Sequence, residues 1–335
     1  MKILFVAPAW VGDMVMAQSL FKKLKSDFPD AIMDVLAPEW SLPIIARMPE
    51  IRNGIPFPIG HGSLQFLTRK KIGRTLVGNF YDRVIIMPTT WKSALVPFFA
   101  KIPRRTGFVG EARYGLVNDA RKLNKNILNM TVLRYLALGQ EKTDPLPPEI
   151  CFFPKLDSDP ENIDRLMDTL ELSLEKPVIC FCPGAEYGPA KQWPIDYYRK
   201  LAEMLLVEGF QVWTLGSAKE TMTGDRINPG NSKWYKNLCG KTRLEDTVDL
   251  MSLAACAVTN DSGLMHVAAA SGIVVQAIYG SSSPSYTPPL TDKADIHYLG
   301  IDCSPCFKRQ CPLGHLKCLR EISPETIHQA IQSRF

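Results

Sequence analysis

Short runs of continuous apolar residues alternate along this chain with stretches of helical periodicity, and the alternation occurs twice. Residues 2–8, 32–37 and 84–87 read as buried strands, with a helix over 14–28 following the first. After a helix over 161–172 the pattern resumes, with strands predicted at 178–182, 211–215, 254–258 and 274–280. Helices are predicted over 195–207, 244–255, from about 264, and over 324–333. Strands that are apolar on both faces and separated by helices build parallel sheets covered on both sides. The chain is therefore predicted to be α/β and doubly wound, with ligands bound beyond the carboxyl ends of the strands.

At 335 residues the chain exceeds one ordinary core and suits two domains. The Pro- and Asp-rich run 145–160 is the best linker, which predicts domains over residues 1–155 and 156–322. The net charge of +5 conceals an asymmetry. Residues 1–155 hold 22 Lys and Arg against 12 Asp and Glu, or +10; the remainder holds 17 against 22, or −5. A basic first half predicts an anionic partner there. Too few aromatics interleave with Lys101, Arg104, Arg105 and Arg113 for a nucleic-acid surface, and a phosphate-bearing acceptor fits better. The apolar start is short and interrupted by Asp13, so it is expected to be a buried strand and no signal peptide. Nine cysteines without a secretion signal predict a reducing, cytoplasmic setting.

Neither Gly-x-Gly-x-x-Gly nor Gly-x-x-x-x-Gly-Lys-Ser/Thr occurs, which disfavours a dinucleotide dehydrogenase and a P-loop enzyme. The polar turn Asp261-Ser262-Gly263 opens a small-residue helix. Its first-turn N–H groups and dipole suit a phosphate, and His266 lies within one turn of Ser262. Asp261 or Ser262 could equally be a plain helix cap. Asp13 reads either as a helix-start acid or as a general base at the mouth of a sheet. Lys191 follows two glycines and precedes Trp193-Pro194, so it reads as a positioned cation as well as a surface charge. Cys303, Cys306, Cys311, His315 and Cys318 resemble a zinc or iron–sulfur ligand set, although their spacing matches no standard finger. A disulfide pair and a thiol-rich loop are the alternatives.

Four blocks carry a family resemblance: Val11-Gly12-Asp13, Pro183 through Pro194, Asn260 through His266, and Cys303 through His315. With them the chain resembles the ADP-heptose:lipopolysaccharide heptosyltransferases, and among these the type II members, which carry the Cys-Ser-Pro-Cys block. The resemblance implies a GT-B fold of two Rossmann-like domains facing across a cleft. The acceptor would bind the first domain and the nucleotide-sugar the second, while a helix in 323–335 would pack back on the first.

The resemblance further implies inverting, metal-independent transfer of heptose from ADP-heptose to the first heptose of heptosylated Kdo-lipid A, with no cofactor. Asp13 would take the acceptor proton. Lys191 and the N–H groups at Ser262, Gly263 and Leu264 would stabilise the ADP leaving group. Asp261 would hold heptose hydroxyls and His266 the phosphate or sugar; Gly216, Ser217, Glu220 and Thr242 would hold ribose and adenine. Gly12 is expected to bind the acceptor, and Arg104 and Arg105, on charge alone, its phosphates. A cytoplasmic chain touching the inner face of the membrane is expected. The alternatives are a type I enzyme or related sugar transferase, a non-catalytic nucleotide-sugar-binding module, and a metal-binding interaction protein.

Overall fold

The computed structural model describes residues 1–60, 62–230 and 232–335. The chain forms two compact units, Met1–Pro154 and Lys155–Phe335. The first holds strands β1 (Lys2–Val6), β2 (Ile32–Ala37), β3 (Asn53–Pro56), β4 (Arg83–Ile86), β5 (Arg104–Phe108) and β6 (Asp119–Arg121). They pair in parallel in the order β3-β2-β1-β4-β5-β6. β1 is the hub, with Phe5 opposite Val35 on one side and Ile85 on the other. Ile3, Leu4 and Phe5 are fully buried, as a strand covered on both faces requires. The Phe5 ring packs 4.6 Å from that of Phe21 in the helix Val11–Asp27.

The second unit repeats the plan with β7 (Val178–Cys182), β8 (Gln211–Thr214), β9 (Tyr235–Asn237), β10 (Cys256–Asn260), β11 (Val274–Ile278) and β12 (Ala294–His297). Its order, β12-β11-β10-β7-β8-β9, is the first sheet's order read from the other edge. In each unit the strand order therefore reverses next to the first strand, between β1 and β4 and between β7 and β10. These are the switch points at which doubly wound sheets open a ligand crevice.

Every residue of β7 and of β10 is buried. Trp193 and Tyr198 pack beneath Phe181, with Trp193 and Tyr198 ring centres 4.9 Å apart. Each such side chain contributes on the order of 2–3 kcal/mol on burial.

One boundary differs from the sequence reading for a local reason. The first helix begins at Val11 rather than Met14, because Met14 N–H already donates to Trp10 C=O at 2.9 Å. Gly12, a poor helix former, disguised that first turn. The C-terminal helix Pro324–Gln332 spends its apolar stripe within the second unit. Ile327 and Ile331 are fully buried in the second unit's core, and the helix packs on helix Ile195–Val207 and on β11. Among the described residues no helix is long and apolar enough to cross a membrane.

Candidate functional site

At the second unit's switch point the segment after β7 is fastened to the end of β10 by one amide. Asn260, fully buried, donates from Nδ2 to Pro183 C=O at 2.7 Å. Its Oδ1 accepts from Trp193 N–H at 3.0 Å and from Tyr198 Oη at 3.3 Å. That bracket sets the path of residues 183–193 and brings Lys191, at the end of the short 3-10 turn Pro189–Lys191, to Asp261. Lys191 Nζ lies 2.6 Å from Asp261 Oδ2, with the two side chains 18% and 4% exposed. A carboxylate this buried needs its cation, and the remaining donors on Lys191 Nζ can turn to a ligand.

Directly beyond, the helix Gly263–Ala270 starts from an extended Ser262 whose side chain makes no capping bond. The plain-cap reading of Ser262 therefore fails, and Oδ2 of Asp261 is held by Lys191. The first-turn N–H groups at Gly263 and Leu264 have no carbonyl within the helix to bond. His266 is buried on the same turn. Burial pushes its pKa down to about 4; Asp261 opposes the shift and Lys191 adds to it. The ring is thus neutral near pH 7 and serves as a hydrogen-bonding group, not as a third charge.

Past β8, Glu220 closes a capping box on Ser217. Its Oε2 accepts from Ser217 N–H at 2.8 Å and from Ser217 Oγ at 2.6 Å. A Cβ on Gly184 would lie 3.1 Å from Glu220 Cδ, and one on Gly216 would lie 3.0 Å from Glu220 Cβ. Both glycines therefore give Glu220 room against the switch-point loop. The buried hydroxyl of Thr242 has no hydrogen-bond partner among the described residues. The same holds for Ser281 and Ser282, past the end of β11, whose hydroxyls carry no motif that would single them out from sequence. Buried hydroxyls without partners are costly and mark places where a ligand can bond.

In the first unit Gly12 is buried and Asp13 half-buried in the first turn of the helix after β1, at that unit's switch point. Arg104 and Arg105 are elsewhere. They open β5 at the amino end of the sheet, with Arg104 beside Arg83 of β4. Arg104 grips Glu141 at 2.8 and 2.6 Å and reaches Asp119 at 3.2 Å. Arg105 donates to the carbonyls of Leu116, Ile102 and Gly115. Arg104 is ion-paired and the Arg105 donors are engaged by main-chain carbonyls, at the end of the sheet opposite Asp13. Lys92, after β4, lies on the switch-point side and makes no ion pair among the described residues.

Cys303, Cys306, Cys311, His315 and Cys318 line one cavity of about 20 Å³ together with Ser281. All nine cysteines are free thiols, and among the described residues no three His, Cys, Asp or Glu side chains are arranged to hold a metal ion. Backbone N–H groups, Leu316 foremost, hold the Cys311 thiol below its ordinary pKa, while burial raises that of Cys318. The segment docks against the ends of the Lys191 loop and of β11. Phe307 N–H donates to Ser281 C=O at 2.7 Å, Ser304 Oγ to Gly280 C=O at 2.6 Å, and Ala190 N–H to Arg309 C=O at 3.1 Å.

The family model described as glycosyltransferase family 9 (heptosyltransferase) matches residues 69–317. Lipopolysaccharide heptosyltransferase 2 of Salmonella typhimurium is 44% identical over 99% of this chain and 98% of its own length. Lipooligosaccharide heptosyltransferase 2 of Haemophilus influenzae is 46% identical over 97% of this chain and 96% of its own. The solved structure of Escherichia coli ADP-heptose LPS heptosyltransferase II superposes with a TM-score of 0.86 at 41% identity. That match covers 100% of this chain and 98% of the other, and both consist of the paired Rossmann-like units of the GT-B architecture. The chain belongs to glycosyltransferase family 9, the heptosyltransferases.

Proposed function

We propose that the chain transfers a heptose from ADP-heptose to a hydroxyl of the first heptose on a heptosylated Kdo-lipid A acceptor, with inversion at the anomeric carbon. The observation that carries the donor half is the buried Lys191–Asp261 pair set against an uncapped helix N-terminus. The diphosphate lies on the N–H groups of Ser262, Gly263 and Leu264 and draws on Lys191. As the bond from anomeric carbon to phosphate oxygen breaks, the charge left on ADP meets donors already in place, which is where such donors lower a barrier. Asp261 holds Lys191 and presents an oxygen to the heptose hydroxyls, and neutral His266 bonds to phosphate or sugar. Glu220 turns its Oε1 to the ribose, with Ser217 and Gly216 shaping that end and Thr242 offering its hydroxyl.

Asp13 accepts the proton of the attacking hydroxyl as the new glycosidic bond forms, with Gly12 allowing the acceptor close to the main chain. The acceptor's phosphates meet the first unit at Lys92 rather than at Arg104 and Arg105, whose groups are already engaged. The excess of positive charge before residue 155 favours peripheral contact with the anionic inner face of the membrane that presents this acceptor.

ADP release measured with ADP-heptose and purified mono-heptosylated acceptor tests the reading. Asp13→Ala should lower kcat by about two to four orders of magnitude with ADP affinity retained, the range expected for loss of a general base. Acceptor-dependent turnover that survives the substitution would remove Asp13 from the role.

A further inference from the structure

The loop that carries Lys191 and the cysteine-rich segment meet at one aromatic ring. Lys191 Nζ stands 5.2 Å from the centre of the Tyr187 ring, and the guanidinium carbon of Arg309 stands 5.4 Å from the same centre. Both distances fall within the reach of a cation–π contact. The Tyr187 hydroxyl donates to Phe307 C=O at 2.7 Å, which ties the ring to the segment bearing Arg309. Main-chain contacts fix the same junction. Ala190 N–H donates to Arg309 C=O, and a Cβ on Gly188, whose φ is +150°, would lie 2.5 Å from that oxygen. Only glycine lets the two segments close to this distance.

The charges do not balance there. Lys191 is answered by Asp261, whereas Arg309 has no carboxylate partner among the described residues. Two cations gathered on one ring, with a single anion between them, leave a positive charge that a diphosphate would neutralise. A guanidinium suits this because it can bridge phosphate oxygens with paired N–H groups. We propose that Arg309, on the cysteine-rich segment, is a second cation of the donor-diphosphate site, aligned beside Lys191 by Tyr187. The proposal deepens the donor assignment above and rests on it. It also explains what the cysteine-rich segment does for the site, which is to carry Arg309 there.

The test uses the full chain and two probes, ADP and adenosine, titrated calorimetrically at two salt concentrations. Arg309→Ala should weaken ADP at least about tenfold, flatten its salt dependence and leave adenosine unchanged; Arg309→Lys should recover part of the loss. Tyr187→Leu should weaken ADP less than Arg309→Ala does, and Tyr187→Phe, which keeps the ring, less again. Unchanged ADP affinity in Arg309→Ala overturns the proposal. So does an equal loss for ADP and adenosine, which marks a purely structural role. If the unaltered chain binds adenosine no worse than ADP, the diphosphate assignment itself falls, and that result is separable from the other two.

Discussion

His266 couples the second unit's switch point to acid stability, and the size of the coupling follows from its burial. Its pKa falls from 6.5 to about 4 in the folded chain, chiefly through desolvation. The folded state therefore binds fewer protons than the unfolded state between these values, so stability rises with pH across that interval. The contribution is complete above pH 6.5 and is lost as pH falls toward 4. Linkage makes the loss, relative to pH 7, about 2 kcal/mol by pH 5 and about 3 kcal/mol by pH 4. A His266→Gln chain should lack this limb, because its amide does not titrate. Native-state hydrogen exchange at the amides of β10, corrected for the intrinsic pH dependence of exchange, reads the second unit directly. Between pH 7 and pH 5 the unaltered chain should lose roughly 30-fold more protection than the variant, which is about 2 kcal/mol expressed as an equilibrium. Carboxylates and His297 titrate in both chains and cancel in the comparison. Parallel losses in the two chains would show that His266 is not held neutral by burial.

The Lys191–Asp261 pair should behave as a unit. Lys191→Met strands a carboxylate that is 4% exposed and should cost about 3 kcal/mol in urea denaturation, whereas adding Asp261→Asn should return part of it, with a coupling energy of about 1–3 kcal/mol. Additive losses would show that the two groups do not meet. Among the thiols, Cys311 should be alkylated by iodoacetamide first at about pH 7.5, because main-chain N–H groups favour its thiolate. Cys180, Cys182 and Cys256, sealed in β7 and β10, should stay unmodified until unfolding, and peptide mapping of a time course distinguishes the order.

The parallel sheets were legible because the strands beside each switch point, β1, β4, β7 and β10, are largely buried and show as short apolar runs. β2, β7 and the helix Ile195–Val207 are read to the residue. The edge strands β3 and β6 were not, since one side of each meets no neighbour and their residues are polar or exposed. Arg104 and Arg105 show that charge alone carries no position. In the sequence they are an exposed basic cluster, yet they begin a strand, and a strand's amino end faces away from the switch point. Lys191 and Asp261 could each be singled out, but their meeting across 70 residues depends on β7 lying beside β10. Tyr187 and Arg309 are 122 residues apart and carry no local signal of contact at all.

The two units share one strand order and yet equip their switch points differently, and the lengths of the connecting segments explain how. After β1 only four residues intervene before the helix, so Asp13 falls in the helix's first turn, next to the switch point. Between β7 and the helix Ile195–Val207 twelve residues intervene, too many to be held by the sheet. That length lets Lys191 reach the next strand's end, but it needs outside support, which Asn260 supplies from one side and the cysteine-rich segment from the other. In the reaction proposed above, a cation that meets charge developing on the leaving diphosphate acts best when its position is fixed beforehand. The segment between β12 and the last helix sets its cysteines against Ala190 and Ser281, directly behind the loop that carries Lys191.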